Sequence, residues 1–138
     1  MRRITLLAFV GLALVAQDAV GQTTSGQSKE PETDGRPLSA WIADLKADAP
    51  QVRNAAAYEI SGLGPEAVAA VPALIEALKD PIEVVRYPVC VALREIGPGA
   101  IDAVPALTEA LDDRNDDVAA MARKAIIAIT GKDPRPFE

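Results

Sequence analysis

With 138 residues the chain has room for one modest domain, and 4% aromatics beside abundant Ala, Val, Leu and Ile point to closely packed helices rather than a sheet sandwich. The formal charge of −6 grows more negative once Arg2 and Arg3 are set aside, and such a domain repels phosphate backbones, so a nucleic-acid partner is excluded from the reading. Histidine is absent, which removes the commonest general base and the commonest metal ligand; no catalytic set, cofactor site or metal site is expected.

Met1-Arg2-Arg3 gives a positive start, and Ile4 to Ala16 is an uncharged apolar run of 13 residues. Ala19-Val20-Gly21 then places small residues where a signal peptidase reads, with cleavage before Gln22. Residues 1–21 are therefore expected to be a secretory signal, and the mature chain to be exported to a periplasm or secreted. The rival is an uncleaved N-terminal membrane anchor, although the run falls short of the roughly 20 residues a span needs. Residues 22–36, QTTSGQSKEPETDGR, hold no apolar residue to bury and read as a flexible polar linker.

From residue 37 to 131 the chain repeats itself. Val71-Pro72-Ala73-Leu74-Ile75-Glu76-Ala77-Leu78 returns 33 residues later as Val104-Pro105-Ala106-Leu107-Thr108-Glu109-Ala110-Leu111. One step back lies Leu38-Ser39-Ala40-Trp41-Ile42-Ala43-Asp44-Leu45, with the apolar positions kept. Behind each copy the frame also repeats: Val52, Val85 and Val118; Ile60, Leu93 and Ile126; Leu63, Ile96 and Ile129. Val71, Leu74, Ile75 and Leu78 mark one face of a first helix, with Pro72 and Pro105 in the first turn, where a missing N–H costs nothing. The second helix of unit two is expected to open at Asp80-Pro81 and to stop at Gly97-Pro98-Gly99. Two amphipathic helices cannot bury their faces alone, whereas stacked pairs share one core, so the period predicts an array of three helix pairs. Residues 132–138 remain as a C-terminal tail.

Val52-Arg53-Asn54-Ala55-Ala56-Ala57-Tyr58-Glu59-Ile60 and Val85-Arg86-Tyr87-Pro88-Val89-Cys90-Val91-Ala92-Leu93 resemble the second-helix motif of HEAT repeats. The short, Ala-rich unit is similar to the variety first described in phycobilisome lyases. The third copy departs at Ala119, where the Arg is lost, and at Thr130, where the Gly is lost. The resemblance implies a short right-handed, all-α solenoid and a non-enzymatic role as a protein-binding or scaffolding module. It leaves open which protein is bound. Alternatives are an accessory subunit or lyase-like enzyme component, and a structural envelope protein assembling end to end.

Arg53 and Arg86 hold equivalent places. The resemblance implies structural pairing with acidic groups such as Asp48, Asp80 or Asp113; a basic ladder for an acidic ligand is the rival. Asp112, Asp113, Asp116 and Asp117 lack the glycine-centred loop of an EF-hand and suit a helix N-terminus instead. Cys90, the single cysteine, is expected at the margin of the core as a spectator, with an intermolecular disulfide as the alternative. Pro88, inside a helix, should bend it and turn Tyr87 outward. Trp41 is expected to plug the open end of unit one.

If the second helices line the concave side, as the resemblance implies, their outward positions form a candidate protein-binding stripe. Unit one supplies Asn54, Tyr58 and Ser61; unit two supplies Tyr87, Val91 and Arg94; unit three supplies Lys124 and Ile127. The last helix is apolar on more than one face, which predicts either cover from Phe137 of the tail or self-association through that helix. No membrane span is expected in the mature chain.

Overall fold

Three helix pairs follow one another at the spacing of the sequence repeat. Unit one contributes α1 (Leu38–Asp44) and α2 (Pro50–Gly62), unit two α3 (Val71–Ala77) and α4 (Glu83–Ile96), and unit three α5 (Val104–Ala110) and α6 (Asp116–Thr130). The computed structural model describes residues 29–137; the segment read as a signal, and residues 22–28 of the expected linker, lie outside them. The longer second helices stack side by side, α4 between α2 and α6, and the short first helices form an outer layer. The result is an all-α solenoid.

The repeated positions explain the stacking. Leu74 and Leu107 are fully buried, as are Ile60 and Leu93, and each such side chain contributes about 1.5–3 kcal/mol of transfer free energy. Ala56 and Ala122 of one row, and Ala92 and Ala125 of another, are equally buried and let the second helices approach closely. Val52 is the exception in its row, 39% exposed where Val85 and Val118 are covered, because among the described residues no helix pair packs on that side of α2.

The junctions between units are more ordered than the Gly-Pro stop signals suggest. Gly64–Ala70 and Gly97–Ala103 each wind into a 3₁₀ segment that runs into the next first helix. Gly97 makes that exit with φ 74° and ψ −142°, a region open essentially to glycine alone. Alanines fill the inside of both turns: Ala67, Ala70, Ala100 and Ala103 are all fully buried. Helix α4 begins at Glu83, later than expected. Pro81 is not its first residue; Asp80 instead folds its carboxylate back onto the Ile82 N–H at 3.0 Å.

The described end of the expected linker is not loose. Glu32–Thr33 and Arg36–Pro37 form an antiparallel β-pair, β1 and β2, joined by Asp34 and Gly35, both at positive φ. Asp-Gly is the preferred sequence for such a two-residue turn, so the signal was present in the residues. What holds the pair is tertiary. Trp41, 7% exposed, donates its indole N–H to the Thr33 carbonyl, and the Arg36 guanidinium lies 4.0 Å above its ring. Pro31 accepts the Leu38 N–H at 2.8 Å, and the Glu30 carboxylate accepts from the Ser39 N–H and hydroxyl. Trp41 thus closes the end of unit one with the hairpin laid over it.

At the other end the expected Phe137 cover is absent: Phe137 is 99% exposed. Residues nearer the helix fold back instead. Asp133 receives Arg123 in a two-point pair, and Arg135 reaches Asp112. Most apolar residues of α6 face the array itself, leaving Ala120, Ile127 and Ala128 as its exposed ones.

Candidate protein-binding groove

Behind the groove, each array junction is fixed by one arginine. The Arg53 Nε–H and Nη2–H donate to the two Asp80 oxygens at 2.6 and 3.1 Å, while Nη1–H reaches the Ala47 and Asp48 carbonyls. One unit on, Arg86 donates to Asp113 at 2.7 and 2.9 Å and to the Asp80 carbonyl at 2.8 Å. Both arginines span 27 residues into the following unit. The hydrogen bonds with Asp80 and Asp113 raise the pKa of Arg53 and Arg86, and Arg86 with the Asn115 N–H holds the Asp113 carboxyl below its ordinary range. In unit three the place belongs to Ala119, which offers nothing to a following unit. The pairing expected from the resemblance is present, and these guanidiniums are committed to the array.

Asn54, Tyr58 and Tyr87 converge from α2 and α4 on an open groove of about 420 Å³. Glu83 and Val84, at the start of α4, and Asn115 and Asp117, around the start of α6, complete its wall. Sequence reasoning missed these four. The available signal was helical: Glu83 and Val84 stand four and three residues before Tyr87, hence on the same face.

The groove has a built floor. Pro88 has no N–H to give the carbonyl four residues back, so Val84 would keep an unpaired oxygen. The Asn54 side-chain N–H, from the neighbouring helix, donates to that oxygen. Helix α4 therefore runs unbroken from Glu83 to Ile96 across Pro88, and Tyr87 is half-buried, leaning into the groove. Asn115 has an equally local duty, accepting the Asp117 and Val118 N–H groups as the cap of α6.

The remaining stripe residues do not line the groove. The Ser61 hydroxyl donates to the Tyr58 carbonyl at 2.6 Å. Arg94 donates to Glu95 and sits 3.7 Å from the Met121 sulfur, Val91 is half-buried, and Lys124 and Ile127 are exposed on α6. Cys90 is not at the margin but wholly inside the core, and burial pushes its thiol up to about 12. Its row neighbours Ala57 and Arg123 misled the reading, since α4 is the middle helix of the stack and is covered on both sides. The acidic cluster disperses: Asp113 pairs with Arg86 and Asp112 with Arg135, while Asp116 and Asp117 occupy the first turn of α6. Among the described residues no helix is long and apolar enough to cross a membrane.

The family profile described as HEAT repeats matches residues 38–127. Among solved structures, the crystal structure of an engineered protein from the Northeast Structural Genomics Consortium is similar, with a TM-score of 0.61 at 18% identity. The match covers 67% of this chain and 44% of that one, so this chain spans less than half the length of its neighbour, and the likeness bears on the fold alone. Comparison with curated proteins finds no match.

Proposed function

The chain belongs to the HEAT-repeat family, and from that premise we propose that it is a non-enzymatic module that binds another protein along its second-helix face. The supporting observation is the groove. Tyr58 is 46% exposed and shares the groove with Tyr87, and Asn54 beside them ties α2 to the Val84 carbonyl of α4. Tyrosine is a favoured interface anchor because it presents large amphipathic area at small entropic cost. Families of stacked helix pairs serve as binding surfaces because each unit adds area without altering its neighbours. Within the family, the short Ala-rich unit of the phycobilisome-lyase kind is the variety we assign, on the buried Ala56, Ala92 and Ala122. The reading includes export, which rests on the composition of residues 1–21, with an N-terminal anchor as the alternative.

Photo-crosslinking tests the reading. A crosslinking residue is placed at Tyr58 or Val84 in the groove, or at Glu76 or Lys79 on the outer helix layer, in the full chain expressed in its native cells. One discrete protein adduct from the groove positions, absent from the outer ones, is expected. Equal adducts from both faces, or none from the groove, would refute it. Fractionating the same cells checks export.

A further inference from the structure

The groove collects ionisable side chains of one sign beside two aromatic rings. Arginines neutralise Asp80 and Asp113 in the array junctions. Glu83 and Asp117, which line the groove, take part in no ion pair among the described residues; Glu83 lies within electrostatic reach of Arg86, whose own hydrogen bonds go to Asp113 and the Asp80 carbonyl. No lysine or arginine lines the groove. The adjoining Arg86 is locked onto Asp113, and Arg114 lines the neighbouring depression, on the other side of Glu83 and Asn115. Helix N-termini favour carboxylates for their own sake, which accounts for Glu83 and Asp117 being acidic. It does not account for two phenol rings sharing the groove with them. A ring face carries negative charge density and attracts a cation, most strongly an arginine guanidinium or a lysine ammonium already partly desolvated.

Resting on the binding role argued above, we propose that this groove takes an extended segment of the partner that carries lysine or arginine, with its cation held against Tyr58 and Tyr87 and the carboxylates of Glu83 and Asp117. The chain's charge of −6 favours the same partner over distance, since a field of one sign raises the encounter rate of the opposite one. The Asn54 amide nitrogen and the Asn115 amide oxygen are engaged with Val84 and with the α6 N-terminus, which fixes both side chains in the groove wall. Binding of this kind weakens as salt screens the charges.

The test is fluorescence anisotropy with the full chain and two labelled peptides. One alternates arginine and lysine with glycine and serine; the other replaces each by citrulline or acetyl-lysine, which keeps length and loses charge. The basic peptide is expected to bind, and the neutral one to bind about tenfold more weakly or worse. A Glu83→Gln/Asp117→Asn double variant should lose about the same factor. Glu76→Gln, on the outer layer, should lose none, and circular dichroism should show every variant folded at the assay temperature, the double variant melting slightly earlier because two helix N-termini lose their carboxylates. Equal binding of the two peptides, binding by neither, or indifference to the double variant overturns the proposal. If adducts still form at Tyr58 while charge has no effect, the binding face stands and only its cationic preference falls; if the groove forms no adduct, the binding role itself falls.

Discussion

Substituting Asp113 with alanine strands Arg86. The guanidinium loses charge-assisted bonds of 2.7 and 2.9 Å and retains only the Asp80 carbonyl at 2.8 Å. Breaking a fully buried pair by removing one partner costs about 3–5 kcal/mol. Here the two side chains keep 11% and 10% exposure, so water reaches the stranded cation and the expected loss is about 2–3 kcal/mol. Part of it is local, because Asp113 also accepts the Asn115 N–H at 2.9 Å. The double-mutant cycle with Arg86→Met separates the two contributions and should leave a coupling of about 1–2 kcal/mol. The measurement is urea unfolding followed by far-ultraviolet circular dichroism. The pH dependence has a fixed sign. Arg86 lowers the folded pKa of Asp113, so its stabilisation is fully present above the unfolded carboxylate value of about 3.9 and disappears as pH falls through the lower folded value. The deficit of Asp113→Ala should therefore be complete at neutral pH and shrink only in acid. A deficit under about 0.5 kcal/mol at neutral pH, the scale of an exposed pair, would refute the reasoning, as would one that persists undiminished in strong acid.

The floor of the groove predicts a second cycle: Asn54→Ala should cost about 1 kcal/mol, and clearly less in a Pro88→Ala background, where the new N–H can satisfy Val84 from within α4. Additive losses would show that the carbonyl was never the shared partner. Cys90 should resist a thiol-reactive dye at mildly alkaline pH and label at the rate of core opening, because burial raises its thiol to about 12; fast labelling of the folded chain, or a disulfide-linked dimer, would contradict its position. Trp41, the single tryptophan, reports on the hairpin: a chain beginning at Leu38 should emit at longer wavelength and unfold earlier than the full chain. Identical emission from the two would mean that β1 and β2 do not cover the ring.

The 33-residue period carried most of the architecture. Helical spacing within a fixed repeat leaves one physical solution, stacked pairs with a common core, and the buried rows of Leu74 with Leu107 and of Ile60 with Leu93 follow from it. The arginine pairing was legible through resemblance, since equivalent sites in identical units meet equivalent neighbours. Local chemistry also marked the end of α4 at Gly97, because tolerance of a positive φ is a property of the residue itself. Packing between units decided the rest. Which polar residues the hairpin needed depended on Trp41 lying beneath them, and a polar stretch with no partner in sight reads as loose chain. Cys90 sits in the core because α4 is flanked on both sides, a matter of its place in the stack rather than of its neighbours in sequence. Asn54 is the clearest case. Its residue type suggested a free surface amide, yet the proline 34 residues away leaves a carbonyl that only the folded array brings within reach. Periodicity reports what a unit repeats; contacts that differ between units, Glu83 and Asp117 in the groove among them, exist only once the units are stacked.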